Sequence, residues 1–360
     1  MNNFDEFKRI FEEAKENIKK TNILVLGKTG VGKSTLINAV FGEDLAKTGT
    51  GKPCTENIKE YFKEDFPIHL IDTRGLELGG YDNILNDLMQ EISSRKKSPD
   101  STNYIHIAWY CINYTSKRIE NEELKIIEKL SSEIPVIVVL TQSINSDLTF
   151  YNDVKNLCYK FSDVLRVLAL PYDCPLGTIK AFGLKELVSK TSEMIPEAQR
   201  TAFIAAQKVD LEIKEKKAQK YVLGAAAAAA ATGATPIPFS DVALLAPIQI
   251  GMLASISFTM GLELTESFLS TLISSAAGVV GATYTGKAIV AGLIKLIPGA
   301  GTIIGGVISG ATAATLTSAM GYAYIKALKY LMTNNLELSA ASISVAFVNE
   351  LKNSTFLVKK

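Results

Sequence analysis

From Asn22 to about residue 195 the chain alternates short apolar runs with longer amphipathic stretches. The runs are NILVL (22–26), IKEYF (58–62), FPIHLID (66–72), YIHIAWYCI (104–112), IPVIVVL (134–140) and VLRVLAL (164–170). Nearly continuous apolar character over so few residues predicts strands covered on both faces. Between them STLINAVFG (34–42), NILNDLMQEISSR (83–95) and NEELKIIEKLSS (121–132) carry the spacing of half-buried helices, as does GLKELVSKT (183–191) after the last run. Such alternation predicts a mostly parallel sheet with helices on both faces. The short gap between IKEYF and FPIHLID makes that pair an antiparallel hairpin at one edge.

The pattern differs on either side of this block. Phe4, Phe7, Phe11, Ala14 and Ile18 fall on one helical stripe, so residues 1–20 are expected to form an amphipathic helix docked on helices at 196–220 or 335–352. Residues 196–220 read as one charged connecting helix that starts after Pro196 and ends in KEKKAQK. Beyond it, from Tyr221 to Ile325, the only charges are Asp241, Glu263, Glu266, Lys287 and Lys295. The expected organisation is therefore 1–20, an α/β domain over 21–195, the connector 196–220, and an all-α apolar domain over 221–360.

Composition narrows the chemistry. With 360 residues there is room for two cores, and a net charge of +1 gives no reason to expect a nucleic-acid partner. Cys54, Cys111, Cys158 and Cys174 form no C-x-x-C pair, and the only histidines are His69 and His106, so no zinc spacing is available. Both histidines sit in strand-like runs, where packing is the simpler role and metal or general-base use the sharper one. The charged N-terminus has no signal-peptide pattern, which fits a reducing, cytoplasmic setting.

One stretch carries decisive chemistry. GKTGVGKST (27–35) satisfies G-x-x-x-x-G-K-[ST] through Gly27, Gly32, Lys33 and Ser34, and it stands between a strand and a helix as that motif requires. Glycine lets the backbone wrap close, so that the N–H groups of Gly27, Lys28, Thr29, Gly30, Val31, Gly32, Lys33, Ser34 and Thr35 line a polyphosphate. Lys33 would reach the β- and γ-phosphates, and the Ser34 hydroxyl would ligate Mg²⁺. The expectation is a nucleoside triphosphate site. Downstream, HLIDTRG ends a strand at Asp72, placed to hold Mg²⁺ through water, with Gly75 open to the γ-phosphate. Between the two motifs Thr55, just before a strand, is the candidate that grips Mg²⁺ while a γ-phosphate is present.

Phosphate loop, Thr55 and DTRG together resemble a small GTPase domain of the Era-like kind over residues 21 to about 195. The resemblance implies binding of GTP and GDP, slow hydrolysis, catalytic roles for Lys33, Thr55 and Gly75, metal ligation by Ser34, Thr55 and Asp72, and switch segments near 45–57 and 73–83. Base recognition in that family rests on [NT]-K-x-D after the fifth strand. Here Thr141 and Gln142 hold the first two places, but Ile144 stands at the aspartate's. Asp147, three residues later, is the alternative reader, and both guanine and adenine stay open, with guanine favoured. Ala169 and Leu170 are expected to offer backbone to the base. Leu76 stands where many such enzymes keep a water-orienting glutamine, so hydrolysis must borrow a group. Glu77, Arg74, a monovalent cation and a residue of a second copy or partner are the candidates, and Gly30 argues against the cation route. A slow rate raised by dimerisation or a partner follows. Trp109 and Arg118 are read as core packing and a solvated helix start, or else as a self-contact surface.

In the apolar half, uncharged stretches of some twenty residues reach about 30 Å as helix, the thickness of a hydrocarbon core. VALLAPIQIGMLASISFTMGL (242–262) is the best candidate, and Gly301/Gly305 and Gly306/Gly310 allow close helix approach. Against spanning stand the abundance of small residues and Pro236, Pro238, Pro247 and Pro298, which suit a tightly packed bundle equally well. The stretch ATPIPFSDVALLAPIQIGML resembles the hydrophobic C-terminal domain of unknown function found behind some Era-like GTPases and in certain bacterial inner-membrane proteins. Membrane association at the cytoplasmic face, self-association, and a soluble scaffold for a protein partner all remain open.

Overall fold

The computed structural model describes residues 13, 18–42, 45, 53–55, 58–63, 66–73, 81–175, 177–232, 241–262 and 309–353. The stripe at residues 4–18 and the segment 74–80, with Arg74, Gly75, Leu76 and Glu77, lie outside the described residues, apart from Ile18. So do Gly301, Gly305, Gly306, Pro236, Pro238 and Pro298. Two compact units divide the chain, one of residues 18–210, the other of 1–17 with 211–360.

In the first unit the described strands are β1 (Thr21–Leu26), β2 (Pro53–Thr55), β3 (Ile58–Lys63), β4 (Ile68–Thr73), β5 (Ile107–Asn113), β6 (Val136–Thr141) and β7 (Asp163–Arg166). They form one sheet in the order β2-β3-β4-β1-β5-β6-β7. Pairing is parallel from β4 across to β7, and β2 and β3 close one edge antiparallel. The expected hairpin is there, with Tyr61 opposite Leu70. Every residue of β1 and of β6 is buried, which is why these strands read as unbroken apolar runs.

Helices α1 (Lys33–Phe41), α2 (Tyr81–Lys96), α3 (Asn121–Ser131), α4 (Thr149–Cys158), α5 (Leu184–Met194) and α6 (Glu197–Ala206) cover the sheet. Trp109 is wholly buried, stacked on Phe41 with centroids 6.0 Å apart and donating its indole N–H to Thr191 at 3.0 Å, so it is a core residue. His106 accepts the Asn22 N–H at Nδ1 (2.9 Å), and its Nε2 sits 3.1 Å from the Ser101 carbonyl. That histidine ties β1 to the turn before β5, and burial holds its pKa below the ordinary value. A short hairpin of β8 (Tyr172–Cys174) and β9 (Gly177–Ile179) follows the last long apolar run and had no signal in the apolar pattern.

The expected single helix over 196–220 is instead two. Helix α6 belongs to the first unit, where Ala202, Phe203 and Ile204 are buried and the Gln199 carbonyl accepts from Thr21 Oγ1 at 2.6 Å. Helix α7 (Leu211–Thr232) belongs to the second. Gln207 makes the break. Its backbone is extended, its Oε1 accepts from the Val209 and Asp210 amides, and its Nε2 donates to the Asp210 carbonyl, each at 2.8 Å. A side chain that folds back on the backbone two and three residues on marks the break without glycine or proline.

In the second unit α7 joins α8 (Asp241–Met260), α9 (Gly310–Thr333) and α10 (Ala340–Lys352). Helix α7 buries Lys214 and, beyond it, Ala218, Val222, Ala226 and Ala229, a stripe of mostly small side chains. That stripe lets α9 come close: a Cβ on Gly321 would lie 2.6 Å from Val222 Cγ2 and 2.9 Å from Met252 Sδ. Polar groups in the bundle pair with each other, as Gln249 Nε2 does with Thr317 Oγ1 at 3.1 Å and Ser257 Oγ with Tyr324 OH at 2.7 Å. Among the described residues no helix is long and apolar enough to cross a membrane.

Candidate functional site

The turn between β1 and α1 is built for close backbone approach. Gly27, Gly30 and Gly32 have φ of 135°, 76° and 97°. At Gly27 the requirement is steric as well, because a Cβ would stand 2.3 Å from the Cys111 carbonyl oxygen of β5. The turn thus lies flat against the neighbouring strand and delivers the chain into α1, whose first-turn N–H groups point into the loop. Lys33 is buried there, its ammonium donating to the Gly27 and Lys28 carbonyls at 2.8 and 3.1 Å. Ser34 and Thr35 are exposed on the same turn. Lys28 points the other way, to Glu120 at 2.9 Å and Glu123 at 3.7 Å, just ahead of and within the first turn of α3. Burial pushes the Glu123 carboxyl above its usual range, although the Glu120 amide donates to it.

Asp72, next to last in β4, lies opposite Val25 of β1, one strand from the phosphate loop. Burial pushes the Cys111 thiol up to about 12, and Lys33 and Asp72 act on that same thiol with opposite signs. Ser34 hydroxyl and Asp72 carboxylate are hard oxygen donors and suit Mg²⁺. Thr55 lies in β2, and the register Thr55–Ile58–Thr73 sets it level with the residue after Asp72, two strands away. Gly75 falls outside the described residues.

The two remaining candidates hold the loop from the other side. Thr141 Oγ1 is 2.5 Å from the Val31 carbonyl and 3.1 Å from that of Ile112, so this buried hydroxyl straps the phosphate loop to β5 and β6. Gln142, in the left-handed region at φ 51°, donates to the Gly30 carbonyl at 3.2 Å and accepts from Asn113 at 3.4 Å. Asn113 was not singled out from sequence. Its place at the end of β5, level with Thr141, is set by sheet pairing. Beside these residues opens a cavity of about 250 Å³ lined by Gly32, Thr35, Thr141, Gln142, Ile144 and the segment Val167–Tyr172. Ala169 and Leu170 are on its wall. Asp147 is not: its Oδ1 accepts from the Thr149 amide at 3.0 Å and hydroxyl at 2.7 Å, capping α4. Those bonds hold its carboxyl below the usual range.

Comparison with known proteins agrees with this geometry. Residues 22–142 match the family model of the 50S ribosome-binding GTPase, and residues 198–346 match a domain of unknown function, DUF697. Magnetosome membrane protein 22 of Magnetospirillum gryphiswaldense is 33% identical over 32% of this chain and 56% of its own length. The tRNA modification GTPase MnmE of Clostridioides difficile is 22% identical over 53% of the chain and 39% of its own. Translocase of chloroplast 108 of Physcomitrium patens is 39% identical over 23% of the chain and 9% of its own. The chain thus spans little more than half the length of the first of these relatives and less of the others. The septin GTPase domain of Chlamydomonas reinhardtii superposes with a TM-score of 0.33 at 15% identity, covering 52% of this chain and 97% of that one. The unit of residues 18–210 has a phosphate-loop GTPase fold with a mostly parallel sheet, and the C-terminal region is largely helical.

Proposed function

We propose that the chain binds GTP with Mg²⁺ at the phosphate loop, hydrolyses it slowly, and uses segments around Thr55 and Gly75 to control its helical domain in membrane association or self-assembly. The observation that carries the reading is the pairing of Lys33 with the loop's own carbonyls, at 2.8 and 3.1 Å, inside a turn that no Cβ at Gly27 would fit. A buried ammonium resting on backbone oxygens is a cation held ready for phosphate oxygens, which offer it full charges instead of dipoles. Ser34 and Asp72 would then hold the metal, which supplies charge neutralisation across the β- and γ-phosphates. Thr55 and Gly75 are assigned to sensing the γ-phosphate.

A second reading has its own support. In the described helices of the second unit Gln249 Nε2 pairs with Thr317 and Ser257 with Tyr324, while Gln249 Oε1 and Thr259 Oγ1 are buried without a hydrogen-bond partner. That arrangement favours a packed scaffold that presents a soluble switch to a protein partner. Calorimetric titration of the full chain with Mg²⁺·GTP tests the site: binding is expected for the wild type and its loss for Lys33→Ala. Equal affinity in the two proteins overturns the assignment. Turnover per molecule should rise with protein concentration if hydrolysis depends on self-association. Alkaline carbonate washing of membranes from expressing cells separates the two roles, since full release into the supernatant supports the scaffold.

A further inference from the structure

We infer that the cavity beside the phosphate loop reads the 6-oxo edge of a purine and leaves the 2-position unread, so that the chain accepts hypoxanthine nucleotides as well as guanine nucleotides. This rests on the reading above that the phosphate loop takes a purine nucleoside triphosphate.

Among the described residues the cavity wall carries no carboxylate. Ile144 stands on it and holds the sequence position of the [NT]-K-x-D aspartate, the carboxylate that would accept the N1–H and 2-amino protons of guanine. The loop after β6 cannot readily bring one in, because its polar groups are committed elsewhere. The Ile144 amide donates to the Gln142 carbonyl at 2.8 Å, and Ser143 donates its hydroxyl to the Leu140 carbonyl at 2.8 Å and its amide to that of Val167 at 3.2 Å. The Asp147 amide donates to Asn145 Oδ1 at 3.0 Å, and its carboxylate caps α4 through Thr149 and lies 3.5 Å from Lys117 Nζ. Tyr114 donates to the Asp147 carbonyl and Arg166 to that of Asn145, so the loop is pinned on both flanks.

The opposite wall has donors. The Val167 amide bonds to the Leu140 carbonyl, and Leu168 exchanges both its backbone bonds with Phe182. The ladder stops there, so the Ala169 and Leu170 amides are the next donors along the wall. An amide pair of this kind pairs with a 6-oxo group and opposes the 6-amino group of adenine, which has only protons to offer. At the other edge a guanine 2-amino group gives up water against Ile144 and gains no acceptor. Hypoxanthine lacks that group and escapes that cost, while its N1–H is left as it is in guanine.

The test is competition of GTP, ITP and ATP, each with Mg²⁺, for the full chain. The expected dissociation constant of ITP lies within about threefold of that of GTP, or below it, and ATP binds at least about tenfold more weakly. GTP binding more than about thirtyfold tighter than ITP, the range of a hydrogen bond to a charged group, overturns the proposal. Equal binding of ATP and GTP overturns the 6-oxo reading. Ile144→Asp should raise the preference for GTP over ITP by about 10- to 100-fold, and an unchanged ratio refutes the placement of Ile144. Asp147→Ala should leave the ratio as it is; a shift of tenfold or more towards ITP, on the order of a lost charged bond, makes Asp147 the reader and ends the proposal. Failure to bind any of the three nucleotides would instead remove the phosphate-site reading itself.

Discussion

Substitution of Gly27 by alanine probes the geometry on which the phosphate site depends. Two penalties apply and they have different origins. At φ 135° an L-residue occupies backbone space that is almost confined to glycine, a strain of about 1–3 kcal/mol. The added methyl would also stand 2.3 Å from the Cys111 carbonyl oxygen, and 3.2 Å from its carbonyl carbon and Cβ. Cys111 is in the middle of β5, paired with Val139 of β6, so the oxygen cannot yield without breaking a parallel ladder. Forcing an extra methyl into such a place costs about 1–3 kcal/mol more. The sum, about 2–6 kcal/mol, corresponds to a fall in melting temperature of about 4–24 °C for a unit of this size. Gly177→Ala is the control, since Gly177 has φ 127° but nothing within 4 Å of its Cβ position, so only the strain remains. Scanning calorimetry of the three proteins, followed by Mg²⁺·GTP titration, gives the comparison. If Gly27→Ala melts within about 2 °C of the wild type and binds GTP normally, the loop is not held against β5 as described. If the two variants fall equally, the contact with Cys111 carries no weight.

Further outcomes follow from two buried groups. Cys111 has its pKa raised from 9.0 to about 12 by burial, so its thiol should resist iodoacetamide at pH 8 until the protein unfolds. Its contribution to stability is complete below pH 9 and is lost as pH climbs towards 12, because the unfolded chain releases the proton first. The denaturation midpoint should therefore drop more steeply between pH 9 and 12 in the wild type than in Cys111→Ala, and identical slopes would refute this. Tyr324→Phe tests the bundle. Ser257 already donates to the Leu253 carbonyl at 2.8 Å, so the tyrosine is the donor in the bond at 2.7 Å, and its loss leaves Ser257 satisfied. A destabilisation of about 0.5–1.5 kcal/mol by urea titration is expected; a change above about 3 kcal/mol would mean that the hydroxyl holds more than this one bond.

The phosphate site was legible because its chemistry is local. Glycine spacing, a preceding apolar strand and a following helix are all written within some twenty residues, and backbone sterics there leave few conformations. The all-apolar strands were legible for a related reason, since burial on both faces removes polar alternation. The β8–β9 hairpin and the break at Gln207 were not. Three-residue strands carry too few positions for a period. The break is made by one side chain folding back on its own backbone where neither glycine nor proline marks a boundary.

What the sequence determined by itself was a glycine-rich turn with its lysine and serine, a carboxylate at the end of a later strand, and a small-residue helical half. Only the tertiary structure decided what those residues meet. Thr141 became a strap because the sheet brings its hydroxyl to Val31, 110 positions earlier. Asp147 became a helix cap and left the cavity to Ile144 because Thr149, two residues on, was the nearer partner for its carboxylate. Trp109 became core because Phe41 and Thr191 arrive on the same face of the sheet. Short-range sterics act along the chain and can be read there, whereas partner choice for a polar side chain is settled by which group the fold delivers within hydrogen-bonding reach.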